Sequence, residues 1–119
     1  MHKITPCLWF DGTAEEAVEF YTSIFPNSAV DTVIPCGEAC SRVSGQPVGS
    51  VLSITFTLAG QPFIAINGGP EFQFSPAVSF HTLCATQAEI DELWDKLAEG
   101  GQPLECGWVT DRYGVTWQV

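Results

Sequence analysis

Of 119 residues, 45% are hydrophobic and 12% aromatic, enough apolar material for a single folded domain over 1–119 and too much for a disordered chain. Fourteen acidic residues against four basic ones leave a formal charge of −10, a field that repels nucleic-acid phosphates and anionic lipid and argues against both as partners. Asp, Glu, Gly or Pro interrupts every apolar run before the ~20 residues a membrane span needs, and residues 1–10 lack the cleavage pattern of a signal peptide.

The first element is the apolar run Ile4 to Phe10, which Pro6 marks as a strand beginning or an edge strand and Asp11-Gly12 closes with turn chemistry. Thr13-Ala14-Glu15-Glu16 then has the form of a capping box, with the Thr hydroxyl accepting from the Glu16 amide and the Glu16 carboxylate reaching back to the Thr13 amide. Behind it Ala14, Ala17, Val18, Tyr21, Ile24 and Phe25 recur at helical spacing, and Glu15, Glu16 and Glu19 occupy the other face. Pro26-Asn27 ends this amphipathic helix. Three strands are expected next, at Ala29–Pro35, Ser50–Leu58 and Pro62–Asn67, the last two joined by the short turn Ala59-Gly60-Gln61 as a hairpin.

Gly68 to Pro76 reads as a connection, after which the pattern restarts. Ala77 to Cys84 is a predicted strand, and Thr86-Gln87-Ala88-Glu89 is a second capping box. Ile90, Leu93, Trp94, Leu97 and Ala98 form the stripe of a second helix that Gly100-Gly101 terminates. Leu104–Val109 and Val115–Val119 supply further strands around the turn Asp111 to Gly114. Placing Thr13 on Thr86 also places Glu16 on Glu89, Phe20 on Leu93, Tyr21 on Trp94 and Ile24 on Leu97. Cap, stripe and flanking strands coincide, so the chain is an α+β fold of duplicated β-α-β-β-β units, about 1–70 and 77–119. Two helices on one side of an antiparallel sheet leave its other face free to curve into a cup.

Cys7, Cys36, Cys40, Cys84 and Cys106 are odd in number and lack the spacing of a disulfide framework or zinc site, which suits a reducing cytoplasm. Cys7, Cys84 and Cys106 sit in apolar stretches as small hydrophobes. Cys36 and Cys40 fall in a Gly-, Ser- and Pro-bearing segment expected to be a mobile loop. A redox or metal role there is the minor reading, because no basic neighbour other than Arg42 would lower a thiol pKa.

Ile4 to Asp11, Ala14 to Tyr21, Phe25 to Ser28, Gly60 to Phe63 with Asn67 to Pro70, Val78 to Phe80, and Cys106 to Trp108 with Asp111, Gly114, Trp117 and Gln118 form an ordered set. Together they closely resemble the PhnB-like branch of the vicinal oxygen chelate superfamily, which comprises glyoxalases, bleomycin-resistance proteins and extradiol dioxygenases. PhnB-like members often carry the label of demethylubiquinone methyltransferase. The resemblance covers essentially the whole chain and implies paired β-α-β-β-β units, a cupped mixed or antiparallel sheet around a pocket, and a homodimer. Members of that branch generally continue past the strand holding Trp117 and Gln118, so either a short final strand or a sequence cut short at Val119 is expected.

In that superfamily His and Glu from the first and last strands of each unit hold a divalent ion that stabilises developing negative charge. The resemblance carries these positions to about Thr5, Ser79, Phe63 and Gln118, none of which is His, Asp, Glu or Cys. No metal and no cofactor is therefore expected. His81 lies two positions from Ser79, and the only other histidine is the terminal His2. Methyl transfer from S-adenosylmethionine normally uses a doubly wound sheet with a Gly-rich loop, whereas Asn67-Gly68-Gly69-Pro70 precedes no helix and reads as a turn.

The expected ligand is a small molecule in an aromatic, neutral pocket. Its candidate walls are Trp9, Phe63, Phe80, Trp108 and Trp117, and its polar groups are Thr5, Asn67, Ser79, His81 and Gln118. Two alternatives remain open: a metal-dependent lyase, isomerase or dioxygenase using His81 with Glu105 or Asp111, and a drug-sequestering protein of the bleomycin-resistance type, whose cationic ligands the net charge would attract.

Overall fold

Alternation of side chains along a strand permits one face to be buried and the other to remain open, and 51–58 follows that rule closely. In the computed structural model, which describes residues 3–119, Ile54, Phe56 and Leu58 are buried while Ser53, Thr55 and Thr57 are not. These residues lie in β3 (Val51–Leu58), which pairs antiparallel with β2 (Ala29–Pro35) and β4 (Gln61–Asn67). β1 (Cys7–Phe10) adds in parallel to β4, giving the order β1-β4-β3-β2. The helix α1 (Ala14–Ile24) crosses this sheet and buries Ala14, Ala17, Val18 and Tyr21. Beneath it lie Leu8, Phe10, Ile54, Phe56, Phe63 and Ala65, all buried. Phe56 and Phe63 are Cα partners with stacked rings 5.4 Å apart.

The chain divides into two units, Met1–Phe72 and Gln73–Val119, and the second repeats the β-α-β-β-β order within its own four-stranded sheet. Its elements are β5 (Phe80–His81), α3 (Gln87–Ala98), β6 (Gln102–Pro103), β7 (Trp108–Thr110) and β8 (Thr116–Gln118), with strand order β5-β8-β7-β6. Leu93 and Leu97 of α3 are buried with Val109, Val115 and Trp117. Among the described residues no helix is long and apolar enough to cross a membrane.

Three local expectations require correction. The segment expected to be a mobile loop contains the helix α2 (Glu38–Ser44), and Cys36 is joined to Cys40 by a disulfide across its start. The expected strands at 77–84 and 104–109 shrink to β5 and β7, because a strand extends no further than its partner and β8 has only three residues. The capping box at Thr13 does not form: its side chain makes no cap hydrogen bond. Asn67, at the end of β4, takes that role, its Oδ1 accepting from the Ala14 amide at 2.9 Å. Asn67 Nδ2 donates to Glu15 Oε1 and to the Val51 carbonyl, each at 2.9 Å. At α3 the first half of the box forms, with Thr86 Oγ1 accepting from the Glu89 amide at 3.2 Å, while Glu89 Oε2 accepts at 3.0 Å from the amide of Ala85, one residue before the cap, rather than from that of Thr86.

A cap supplied from a neighbouring strand couples helix formation to sheet formation. Asn67→Ala should therefore lower unfolding free energy by about 2 kcal/mol, with Thr13→Ala costing less than about 0.5 kcal/mol. Urea titrations of the two variants check this, and equal losses would return the cap to Thr13.

Candidate functional site

β8 lies between β5 and β7, and its register sets Gln118 beside His81 on one side and Trp108 on the other. Laterally paired residues share a face with Cβ atoms roughly 5 Å apart, so His81, Gln118 and Trp108 form one row across three strands. Gln118 Nε2 donates to Ser79 Oγ at 2.7 Å, which adds a fourth residue and orients the amide. Thr110 and Thr116, the next pair along this face, have hydroxyls 3.0 Å apart. His81 is exposed, and Ser79, Trp108 and Gln118 are half-buried. The row combines an indole, an imidazole, an amide and a hydroxyl, and contains no carboxylate. Such a surface suits stacking and hydrogen bonding to a planar polar molecule.

The other face of the same strands is core. Phe80 and Val109 are the Cα partners of Trp117, which is buried, and the Phe80 and Trp117 rings lie 5.4 Å apart. Phe80 and Trp117 thus fill the second unit rather than lie on the face that carries Trp108. Trp117 Nε1 donates to Asp111 Oδ2 at 2.9 Å, while Asp111 Oδ1 accepts from the Tyr113 amide at 2.8 Å and the Val115 amide at 3.1 Å. The Asp111 carboxylate, only 3% exposed, is thus bound up in its own turn. Glu105 is exposed.

In the first unit the expected residues separate. Trp9 lies on the face of β1 opposite Leu8 and Phe10, where Cys7 also lies. Its Nε1 donates to the Gly69 carbonyl at 2.9 Å, and its ring meets Phe72 edge-on at 5.0 Å. A Cβ at Gly68 would collide with the indole, so the glycine pair after β4 serves as a bed for Trp9. Thr5 is exposed, ahead of β1. Phe63 faces α1 in the core, and both polar groups of the Asn67 amide are engaged, in two hydrogen bonds to α1 and one to the Val51 carbonyl of β3. These two therefore do not share the face of Trp9.

Registers also reassign one strand position. The parallel pair Cys7 and Ile64 in the first unit corresponds to His81 and Gln118 in the second. Ile64, not Phe63, is the counterpart of Gln118, a one-residue shift that reverses the face. Thr5, Ser79 and Gln118 offer neutral oxygens and Ile64 offers no donor, a poor set for a transition metal. Among the described residues no three His, Cys, Asp or Glu side chains converge, and His2 lies outside them. Although part of Cys7 reaches solvent, burial of the rest pushes its thiol above the ordinary cysteine value.

The profile of the 3-demethylubiquinone-9 3-methyltransferase family matches residues 2–119. Among solved structures, a PhnB protein from Bacillus cereus is 39% identical with a TM-score of 0.87, covering 98% of this chain and 97% of that one. A Pseudomonas aeruginosa protein is 24% identical with a TM-score of 0.75, over 98% of this chain and 95% of that one. An Arabidopsis thaliana gene product, also 24% identical, has a TM-score of 0.58 over 98% and 96% of the two chains. The last two likenesses concern the fold alone. No curated protein matches.

Two outcomes follow from this geometry. Asp111→Ala, which removes a buried acceptor from two amides and an indole, should cost about 3 kcal/mol in chemical denaturation, whereas loss of under about 1 kcal/mol would contradict its anchoring role. A raised thiol pKa leaves less thiolate at a given pH, so iodoacetamide should alkylate Cys7 more slowly than a small free thiol at pH near 8 and catch up only as pH rises past the ordinary cysteine value.

Proposed function

This chain belongs to the 3-demethylubiquinone-9 3-methyltransferase family of PhnB-like proteins, and on that premise we propose that it binds a small planar molecule on the open face of its second sheet. The observation that carries the reading is the His81, Gln118 and Trp108 row with Ser79 holding the Gln118 amide. Trp108 supplies a stacking surface, and Gln118 and His81 supply directional polar groups. In the first unit Trp9, held by Gly69 and Phe72, is a second aromatic surface of the same kind.

The paired β-α-β-β-β units support placing the family within the vicinal oxygen chelate superfamily. Binding without the ion of that superfamily is favoured, because the corresponding positions carry Thr, Ser, Gln and Ile. Methyl transfer is the weaker reading. Among the described residues each sheet has a single parallel pair and Gly68-Gly69 leads into no helix, an arrangement unlike the doubly wound sheet and phosphate-cradling turn usual for S-adenosylmethionine. A homodimer is part of the proposal, supported by the edge strand β2, whose Val30, Val33 and Ile34 are each about half exposed.

Thermal denaturation with naphthol and naphthylamine probes tests the reading. Stabilisation accompanied by quenching of indole fluorescence is expected, and both effects should fall at least roughly tenfold in probe affinity in Trp108→Ala and Gln118→Ala, given the typical contribution of a stacked ring or buried hydrogen bond. Probe binding that survives both substitutions would remove this face as the site.

A further inference from the structure

Cys36 and Cys40 bracket the start of α2 in a way that the ligand-binding reading does not use. Cys36 immediately precedes Gly37, the residue at the helix N-cap, and Cys40 lies on the first turn. Glycine has no side chain to accept from the first amides, and no side-chain cap hydrogen bond forms there. None of the residues of α2 is buried, and Val43 is 90% exposed. Seven residues without a packed face are too few to hold a helix in water. The segment's remaining ties are local: Ser44 Oγ donates to the Cys40 carbonyl at 2.7 Å, and the Gln46 amide donates to Ser44 Oγ at 3.2 Å. At its base the Cys36 amide donates to the Ser50 carbonyl and the Gly49 amide donates to the Cys36 carbonyl, which anchors the ends of the excursion to the sheet. The Cys36–Cys40 bridge is therefore the covalent tie between an anchored base and an otherwise unpacked helix.

The two sulfurs differ in access. Cys36 is 2% exposed, and Cys40 is half-buried on the solvent side of the turn. The hydroxyl of Ser44 lies 3.8 Å from Cys40 Sγ and 4.0 Å from Cys36 Sγ, near enough to hydrogen-bond a thiolate released at either.

We infer that Cys36 and Cys40 form a thiol–disulfide exchange site for small-molecule thiols, that Cys40 is the sulfur attacked, and that the state of the bridge sets the order of the 37–49 segment. An incoming thiolate bonds to Cys40 Sγ, and the Cys36–Cys40 bond breaks with its electron pair going to Cys36 Sγ, which takes a proton from water. A second thiolate attacks the external sulfur of the mixed disulfide, releasing Cys40 as a thiolate that is protonated in turn. Two small thiols are oxidised to one disulfide while the bridge gains two electrons. The reverse reaction uses a small disulfide as oxidant.

Trypsin provides a readout in the native chain, because Arg42 lies in α2 and Lys96 lies in α3 beside the fully buried Leu97. Reduced and desalted protein, and the double variant Cys36→Ser/Cys40→Ser, should be cut after Arg42 roughly tenfold faster than the oxidised protein, with cleavage after Lys96 unchanged. Equal rates after Arg42 would overturn the structural role of the bridge, and acceleration at Lys96 as well would show global rather than local release and overturn it equally. With oxidised glutathione as the probe, tandem mass spectrometry should find the adduct on Cys40 in Cys36→Ser, forming faster than the adduct on Cys36 in Cys40→Ser. The opposite order, or no adduct in either variant, would overturn the assignment of Cys40 as the exchanging sulfur.

Discussion

A single helix can cover only one face of a small sheet, and both units of this protein are organised by that limit. α1 lies over the face bearing Leu8, Phe10, Ile54, Phe56, Phe63 and Ala65, and the opposite face keeps Cys7, Trp9, Ser53, Thr55 and Ile64. In the second unit the same division separates Phe80, Val109 and Trp117 from His81, Trp108 and Gln118. Apolar burial pulls one set inward, and the pleat places the other set where a ligand can reach it. The candidate site is thus a by-product of how the core is built.

Closing each unit requires polar side chains at the junctions, since buried backbone amides need acceptors. Asn67 meets this need at the start of α1, and Asp111 meets it in the turn between β7 and β8 while also receiving the Trp117 indole. In sequence both residue types suggest ligand contact, and Asp111 suggests a metal. Their geometry gives them to the fold. The row of His81, Trp108 and Gln118 on the second sheet carries no carboxylate, which agrees with stacking and hydrogen bonding more than with Lewis-acid chemistry.

The legibility of each element follows the range of the forces that form it. α1, α3 and the alternating β3 were readable because their apolar periods are local, and the duplicated order was readable from the match of Thr13 with Thr86. α2 was not readable: it buries nothing, has no apolar stripe, and is tied by a bond between Cys36 and Cys40 that residue spacing alone does not announce. Trp108, Ser79, His81 and Gln118 lie on one face of the second sheet, whereas Phe63 and Trp117 are buried in the core and the half-buried Phe80 packs against Trp117. Gly68 and Gly69 read as a turn, and the close approach of the Trp9 ring supplies the reason for glycine at 68, while a positive φ supplies it at 69.

By itself the sequence determined α1 and α3, the alternating strands and the repetition of one unit, because helix and strand periods are written in neighbouring residues. Only the tertiary structure decided which face each strand residue occupies. A one-residue shift reverses every side chain of a strand, and registers such as Cys7 with Ile64 or His81 with Gln118 are set by partners distant in the chain. The same distance explains why the cap of α1 comes from Asn67: the amide of Ala14 bonds to whichever acceptor the assembled sheet brings nearest.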